Sequence, residues 1–181
     1  MTTHIALLRA VNVGGHAKLP MADLRAFFAR LGLTDAHTVL QTGNVVFSGA
    51  TKTGASLERL LESEAAKRLG LETAFVVRTA REWTTLVAAN PFPDMARRDP
   101  SHLLVMFLKD EADPRKLRAL QAAISGREVV RVKDRQAYLT YPDGIGTSRL
   151  THATLERALG TRGTSRNWNT VLKLAALAEA M

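Results

Sequence analysis

The feature that most constrains this chain is an order of elements that runs through it twice. Short β-prone runs and helix-spaced apolar stretches recur as strand, helix, strand, strand, helix, and few layered arrangements bury the apolar faces of such a series. In the first pass, His4 to Ala10 is a brief apolar run that breaks into Asn12, Gly14 and Gly15, a strand followed by a loop. Pro20 sits where a first helical residue belongs. Met21, Leu24, Phe27, Phe28 and Leu31 follow at helical spacing, and Gly32 stops them. His37–Gln41 and Asn44–Ser48 are β-prone and predict a tight hairpin over Thr42-Gly43. Ser56 reads as the cap of a helix through Leu57, Leu60, Leu61, Ala65 and Leu69, closed by Gly70, and Thr73–Arg78 is a further strand.

Thr79 and Glu82 have the spacing of a capping box for a connecting helix through Trp83, Leu86 and Val87. Asn90-Pro91-Phe92-Pro93 ends it, and the charged, proline-rich stretch up to Pro100 reads as a linker. The second pass opens with the strand His102–Leu108. Asp113-Pro114 starts a helix carrying Leu117, Leu120 and Ile124, stopped by Gly126. Glu128–Val132 and Ala137–Tyr141 predict a hairpin turning at Asp134-Arg135. Thr151 caps a short helix, with Leu150 and Leu155 spaced as a hydrophobic staple, and a last helix spans Trp168 to Ala180. The expectation is an α+β chain of two tandem ferredoxin-like (βαββαβ) halves, residues 1–90 and 100–181. The second half is expected to end in helices, with a helix in place of its fourth strand.

Composition narrows the chemistry. The 181 residues carry a net charge of +8, with Arg outnumbering Lys 18 to 7, which favours polyanionic or phosphorylated partners but also fits a plain compositional bias. There is no cysteine, so disulfides, thiolate metal sites and Cys nucleophiles are excluded, and a cytoplasmic location is expected. The N-terminus lacks a signal-peptide pattern, and no apolar run is long enough to cross a membrane. The five histidines show no HxxxH or HExxH spacing, and neither a P-loop, a Rossmann fingerprint nor a G-x-S-x-G elbow is present. No metal or cofactor is expected.

Several segments carry more polar equipment than folding requires. Gly-Thr-Ser-Arg occurs twice, at Gly146–Arg149 and Gly163–Arg166, each ahead of an expected helix start. Such a start offers free N–H groups, and hydroxyls and a guanidinium beside it suit phosphate. The first copy also fits simple capping by Thr151. The second is crowded by Asn167, Trp168 and Asn169, so Thr164, Ser165, Arg166, Asn167, Trp168 and Asn169 form one candidate site. From Ile145 to Lys173 five cations face one acid, Glu156, half of the chain's excess charge. Arg9 lies at the end of the first strand, Asn12, Gly14, Gly15 and Lys18 follow it, and Gln41 and Asn44 belong to an adjacent strand pair, so these seven form a second candidate cluster. Arg127, Val129, Arg131, Lys133 and Arg135 alternate onto one face near Tyr138 and Tyr141, a pattern suited to a nucleic-acid backbone or to a solvated surface.

Four segments, RAVNVGG (Arg9–Gly15), QTGNVVF (Gln41–Phe47), NPFP (Asn90–Pro93) and TSRNWNT (Thr164–Thr170), resemble the bacterial family catalogued as domain of unknown function 1697. The resemblance spans nearly the whole chain and implies two ferredoxin-like units in tandem. It brings no established activity, cofactor or catalytic residue. One departure is Arg149, where the family pattern has Lys.

The candidate motifs hold Arg, Asn, Gln and Thr but no carboxylate or histidine, so a general base is missing and binding is favoured over acid–base catalysis. The expected function is binding of a phosphate-bearing ligand, a phosphorylated small molecule or nucleic acid, at a basic helix N-terminus. An enzyme on a small anionic metabolite, with Asn12, Gln41, Asn44 and Arg166 around one pocket, is the first alternative. A structural or interaction module without ligand is the second.

Overall fold

A computed structural model describes residues 1–12 and 18–181. Two compact units divide the chain, one made of Met1–Val87 with Leu172–Met181 and the other of Ala88–Val171. The first contains β1 (His4–Leu8), α1 (Met21–Arg30), β2 (Thr34–Thr38), β3 (Asn44–Ser48), α2 (Gly54–Leu69), β4 (Phe75–Thr79) and α3 (Ala80–Ala88). Its strands form an antiparallel sheet in the order β2-β3-β1-β4. Every residue of the central strand β1 is buried. Ala6, Leu8, Val45, Phe47, Phe75 and Val77 project from the sheet onto Leu24, Phe27 and Phe28 of α1 and Leu57, Leu61 and Ala65 of α2. Each such leucine contributes about 1.5–3 kcal/mol by leaving water. The open side of edge strand β4 is not left bare. Glu62 and Glu58 of α2 accept from the backbone N–H groups of Phe75 and Val77, both at 2.9 Å, which blocks further strand addition there.

The second unit follows α4 (Pro93–Arg98) and a 3-10 turn at Pro100–His102 with β5 (Leu103–Leu108), α5 (Pro114–Ala123), β6 (Val129–Lys133), β7 (Gln136–Thr140), α6 (His152–Leu159) and β8 (Gly163–Asn167). The helix α7 (Trp168–Ala180) closes the chain. Its sheet has the order β6-β7-β5-β8, again antiparallel. Met106, Leu108, Val130, Ala137 and Leu139 meet Leu120 of α5 and Leu155 and Leu159 of α6. Three of the expected caps hold: Asp113 accepts from the Arg115 N–H at 2.8 Å, Thr151 from the Thr154 N–H at 3.2 Å, and Thr79 and Glu82 cap reciprocally.

Four expectations are corrected. The second half has a fourth strand, β8, where a helix was expected. Gly163–Asn167 is polar and lacks an apolar alternation, yet as an edge strand it needs only backbone pairing with β5, from Leu108↔Gly163 to Leu104↔Asn167. The first hairpin is not tight, because β2 ends at Thr38 and residues 39–43 link it to β3. The stretch after Pro91 is helical in α4 rather than an extended linker. The helix α2 begins one turn earlier than expected, after Thr53, and no side chain caps it.

Two outcomes follow from this packing. A Cβ at Gly163 would lie 2.6 Å from the Phe107 carbonyl oxygen, so Gly163→Ala is expected to cost about 1–3 kcal/mol, read as a lower urea midpoint. His4 is fully buried against Phe47, ring centroids 5.5 Å apart, and its Nε2 has no hydrogen-bond partner. Desolvation holds its pKa below the ordinary 6.5, so the unfolded chain takes up the proton first on acidification. Stability is therefore complete above pH 6.5 and falls as the pH drops below it. His4→Phe is expected to remove that part of the pH dependence of urea unfolding.

Candidate functional site

Of the cluster expected around the first strand, Gly14 and Gly15 lie outside the described residues. Asn12 meets the backbone of Gln41, and the side-chain amides of Asn12 and Asn44 are occupied by the chain itself. Asn12, in a left-handed conformation at φ 55°, donates through Nδ2 to the carbonyls of Leu19 at 2.9 Å and Gln41 at 2.8 Å. Its Oδ1 accepts from the Leu19 N–H at 2.7 Å. Asn44 is fully buried and donates to the Val39 carbonyl at 2.7 Å and to Thr42 Oγ1 at 3.1 Å. Asn12 thus ties Leu19 to the 39–43 link, while Asn44 holds that link from inside. The Arg9 carbonyl accepts from Thr73 Oγ1 at 2.5 Å, and Lys18 and the Gln41 side chain are exposed. Arg166 belongs to the other unit.

The second Gly-Thr-Ser-Arg copy lies on β8, which leads directly into α7 at Trp168, so the helix start is where it was expected and the segment ahead of it is a paired edge strand. Thr164 is buried and accepts from Arg166 Nη1 at 2.7 Å; the same nitrogen donates to the Ser165 carbonyl at 2.9 Å. Burial pushes the Arg166 pKa down to about 10, so it remains a cation at neutral pH. Asn167 accepts from the Thr170 N–H at 3.0 Å and so caps α7, Trp168 is buried, and Asn169 is exposed. Tyr138 and Tyr141, considered as stacking partners of the basic strand, are 1% and 2% exposed and present no face to a ligand.

The first copy is different. A cavity of about 490 Å³ opens in the second unit between the end of α5, the 124–128 segment, the 143–150 loop and the start of α6. Its floor is apolar, from Leu120, Ala123, Ile124 and Leu150, and Thr147, Ser148 and Arg149 form part of its wall. That volume suits a small organic ligand. The loop is built to stay in place. Gly144, at φ 92°, allows the turn, and its N–H donates to the Tyr141 carbonyl at 3.0 Å. Tyr141 Oη donates to the Leu150 carbonyl at 2.9 Å, and Ser148 Oγ donates to Glu128 Oε1 at 2.6 Å. Burial raises the Tyr141 pKa to about 12, which keeps that hydroxyl a donor. Arg127 bridges both oxygens of Asp143, holding the Asp143 carboxyl below the usual range and raising its own pKa.

Arg149 is the exception in this network. It is exposed, it lines the cavity, and among the described residues no hydrogen bond or ion pair occupies its guanidinium. Beyond it the chain enters α6, where the helix dipole favours negative charge. A second hollow, between α1 and β2, has Arg25 as its cation, whose Nη1 already donates to Thr38 Oγ1 at 2.8 Å, with Asp35 also in its lining. Sequence reasoning marked Gly146–Arg149 as one of two copies but left Thr147, Ser148, Arg149, Glu128 and Asp143 out of the candidate site. The repeat was the available signal. Among the described residues no group of three potential metal ligands occurs, and no helix is long and apolar enough to cross a membrane.

The model of a family described as protein of unknown function (DUF1697) matches residues 1–138. The chain belongs to that family. Among solved structures, the conserved bacterial protein SP0830 from Streptococcus pneumoniae is similar to it, with a TM-score of 0.78, 21% identity and 98% of each chain covered. That likeness is one of fold. No curated protein matches the sequence. The family match reaches past the 124–128 segment but stops before the 143–150 loop, so the loop that walls the cavity lies beyond the matched residues.

Asn12→Ala leaves the Leu19 N–H and the Leu19 and Gln41 carbonyls without that partner. It is expected to cost about 1–3 kcal/mol in urea unfolding.

Proposed function

We propose that this protein binds a small phosphate-bearing ligand in the cavity of its second unit, with Arg149 as the anchoring cation. The single observation that carries the reading is an uncommitted guanidinium on the wall of a cavity of about 490 Å³, on a loop whose other side chains are already hydrogen-bonded. Arginine meets phosphate through parallel N–H donors and keeps its charge across the physiological range. Thr147 also lines the cavity, and the positive end of α6, which follows Arg149 closely in the chain, adds weaker attraction.

The reading includes two finer statements. Each half is a ferredoxin-like unit, supported by the βαββαβ order and by the strand orders β2-β3-β1-β4 and β6-β7-β5-β8. The protein works in the cytoplasm, supported by the absence of cysteine from the sequence.

Calorimetric titration with hexyl phosphate at about 50 mM and about 200 mM salt tests the reading, with binding expected to be tighter at the lower salt. Arg149→Gln is expected to weaken binding about tenfold, while Arg30→Gln, on α1 of the other unit, leaves it unchanged. Absence of binding at low salt, or equal affinities for wild type and Arg149→Gln, removes this function.

A further inference from the structure

The cavity wall carries two opposite charges that the fold leaves uncompensated, and this says more about the occupant than its phosphate. Asp143 is neutralised, since Arg127 takes both of its oxygens. Glu128 is not. Its Oε1 accepts from Ser148 Oγ at 2.6 Å, and among the described residues no donor reaches its Oε2. A serine hydroxyl does not offset a carboxylate's charge. That carboxylate sits against Gly126, where a Cβ would meet Oε2 at 2.2 Å, so the absence of a side chain at 126 gives Glu128 its place in the lining. The wall thus offers an open cation at Arg149, an open carboxylate oxygen at Glu128 and an apolar floor of Leu120, Ile124 and Leu150.

Building on the phosphate-binding reading above, we propose that the ligand is zwitterionic: a phosphate ester that also carries an ammonium group, the phosphate on Arg149, the ammonium on Glu128, and a short apolar stem on the floor between its two ends. The same wall disfavours a polynucleotide. Glu128 repels successive phosphates, and no aromatic side chain lines the cavity for a base to stack on.

Three probes of equal stem length, 6-aminohexyl phosphate, hexyl phosphate and hexylamine, separate the contributions by calorimetry at pH 7. The aminohexyl phosphate is expected to bind about tenfold more tightly than hexyl phosphate, and hexylamine more weakly than either. Glu128→Gln should abolish that preference and keep the affinity for hexyl phosphate within about twofold, which also shows that the pocket is intact. Ser148→Ala, which retains the carboxylate, should keep the preference. Equal affinities of the wild-type protein for the two phosphates, or a preference that survives Glu128→Gln, overturns the inference while Arg149-dependent binding of hexyl phosphate still stands. Failure of both phosphates to bind overturns the phosphate reading and this one together. A short single-stranded RNA that displaces the probes and is weakened by Arg149→Gln overturns the zwitterion in favour of nucleic acid.

Discussion

A strand buried on both faces has no water for its amides, so each of its N–H and C=O groups must find a partner strand on one side or the other. Both units are organised around such a strand. β1 pairs with β3 and β4, and β5 pairs with β7 and β8. All five residues of β1 and five of the six in β5 are buried. This requirement fixes what surrounds them. Two antiparallel neighbours must be supplied by later segments of the same chain, and the connections that bring them back are the helices whose apolar stripes cover one face. In the second unit it also recruits Gly163–Asn167, a segment with little β character of its own, because the free edge of β5 would otherwise be left unpaired.

That dependence explains what was legible in the sequence and what was not. His4–Leu8 and the run ending at Leu108 stand out as continuous apolar stretches because a doubly buried strand shows no alternation. The helices α3, α5 and α6 were legible from spacing and from local side-chain chemistry: Thr79 with Glu82, Asp113-Pro114, and Thr151 with the Leu150–Leu155 pair act within a few residues of themselves. β8 was not, since its conformation is imposed by a partner more than fifty residues earlier. The same holds for residues 39–43, where the buried Asn44 and the distant Asn12 shape the link more than the Thr42-Gly43 turn signal does.

The candidate site shows the same division. Two copies of Gly-Thr-Ser-Arg share every side chain and differ in what lies beside them. On β8 the arginine bonds to Thr164 and Ser165 of its own strand, whereas at 146–149 the serine reaches Glu128 and the arginine is left to the cavity. The sequence marks both copies as unusual, but it has no means of choosing between them, because the choice rests on Glu128, on Tyr141 and on the end of α5. The Asn12 cluster follows the same logic. The side-chain amides of Asn12 and Asn44 serve the backbone of Leu19, Gln41 and Val39.

The stiffness of the 143–150 loop has a consequence for recognition. Anchors at Tyr141, Asp143, Gly144 and Ser148 are in place before any guest arrives, so very little chain has to be ordered on association. A guest would meet a finished mould, and discrimination among candidates would come from how well each one fits and matches its charges, with little room for the wall to remould itself around a poor match.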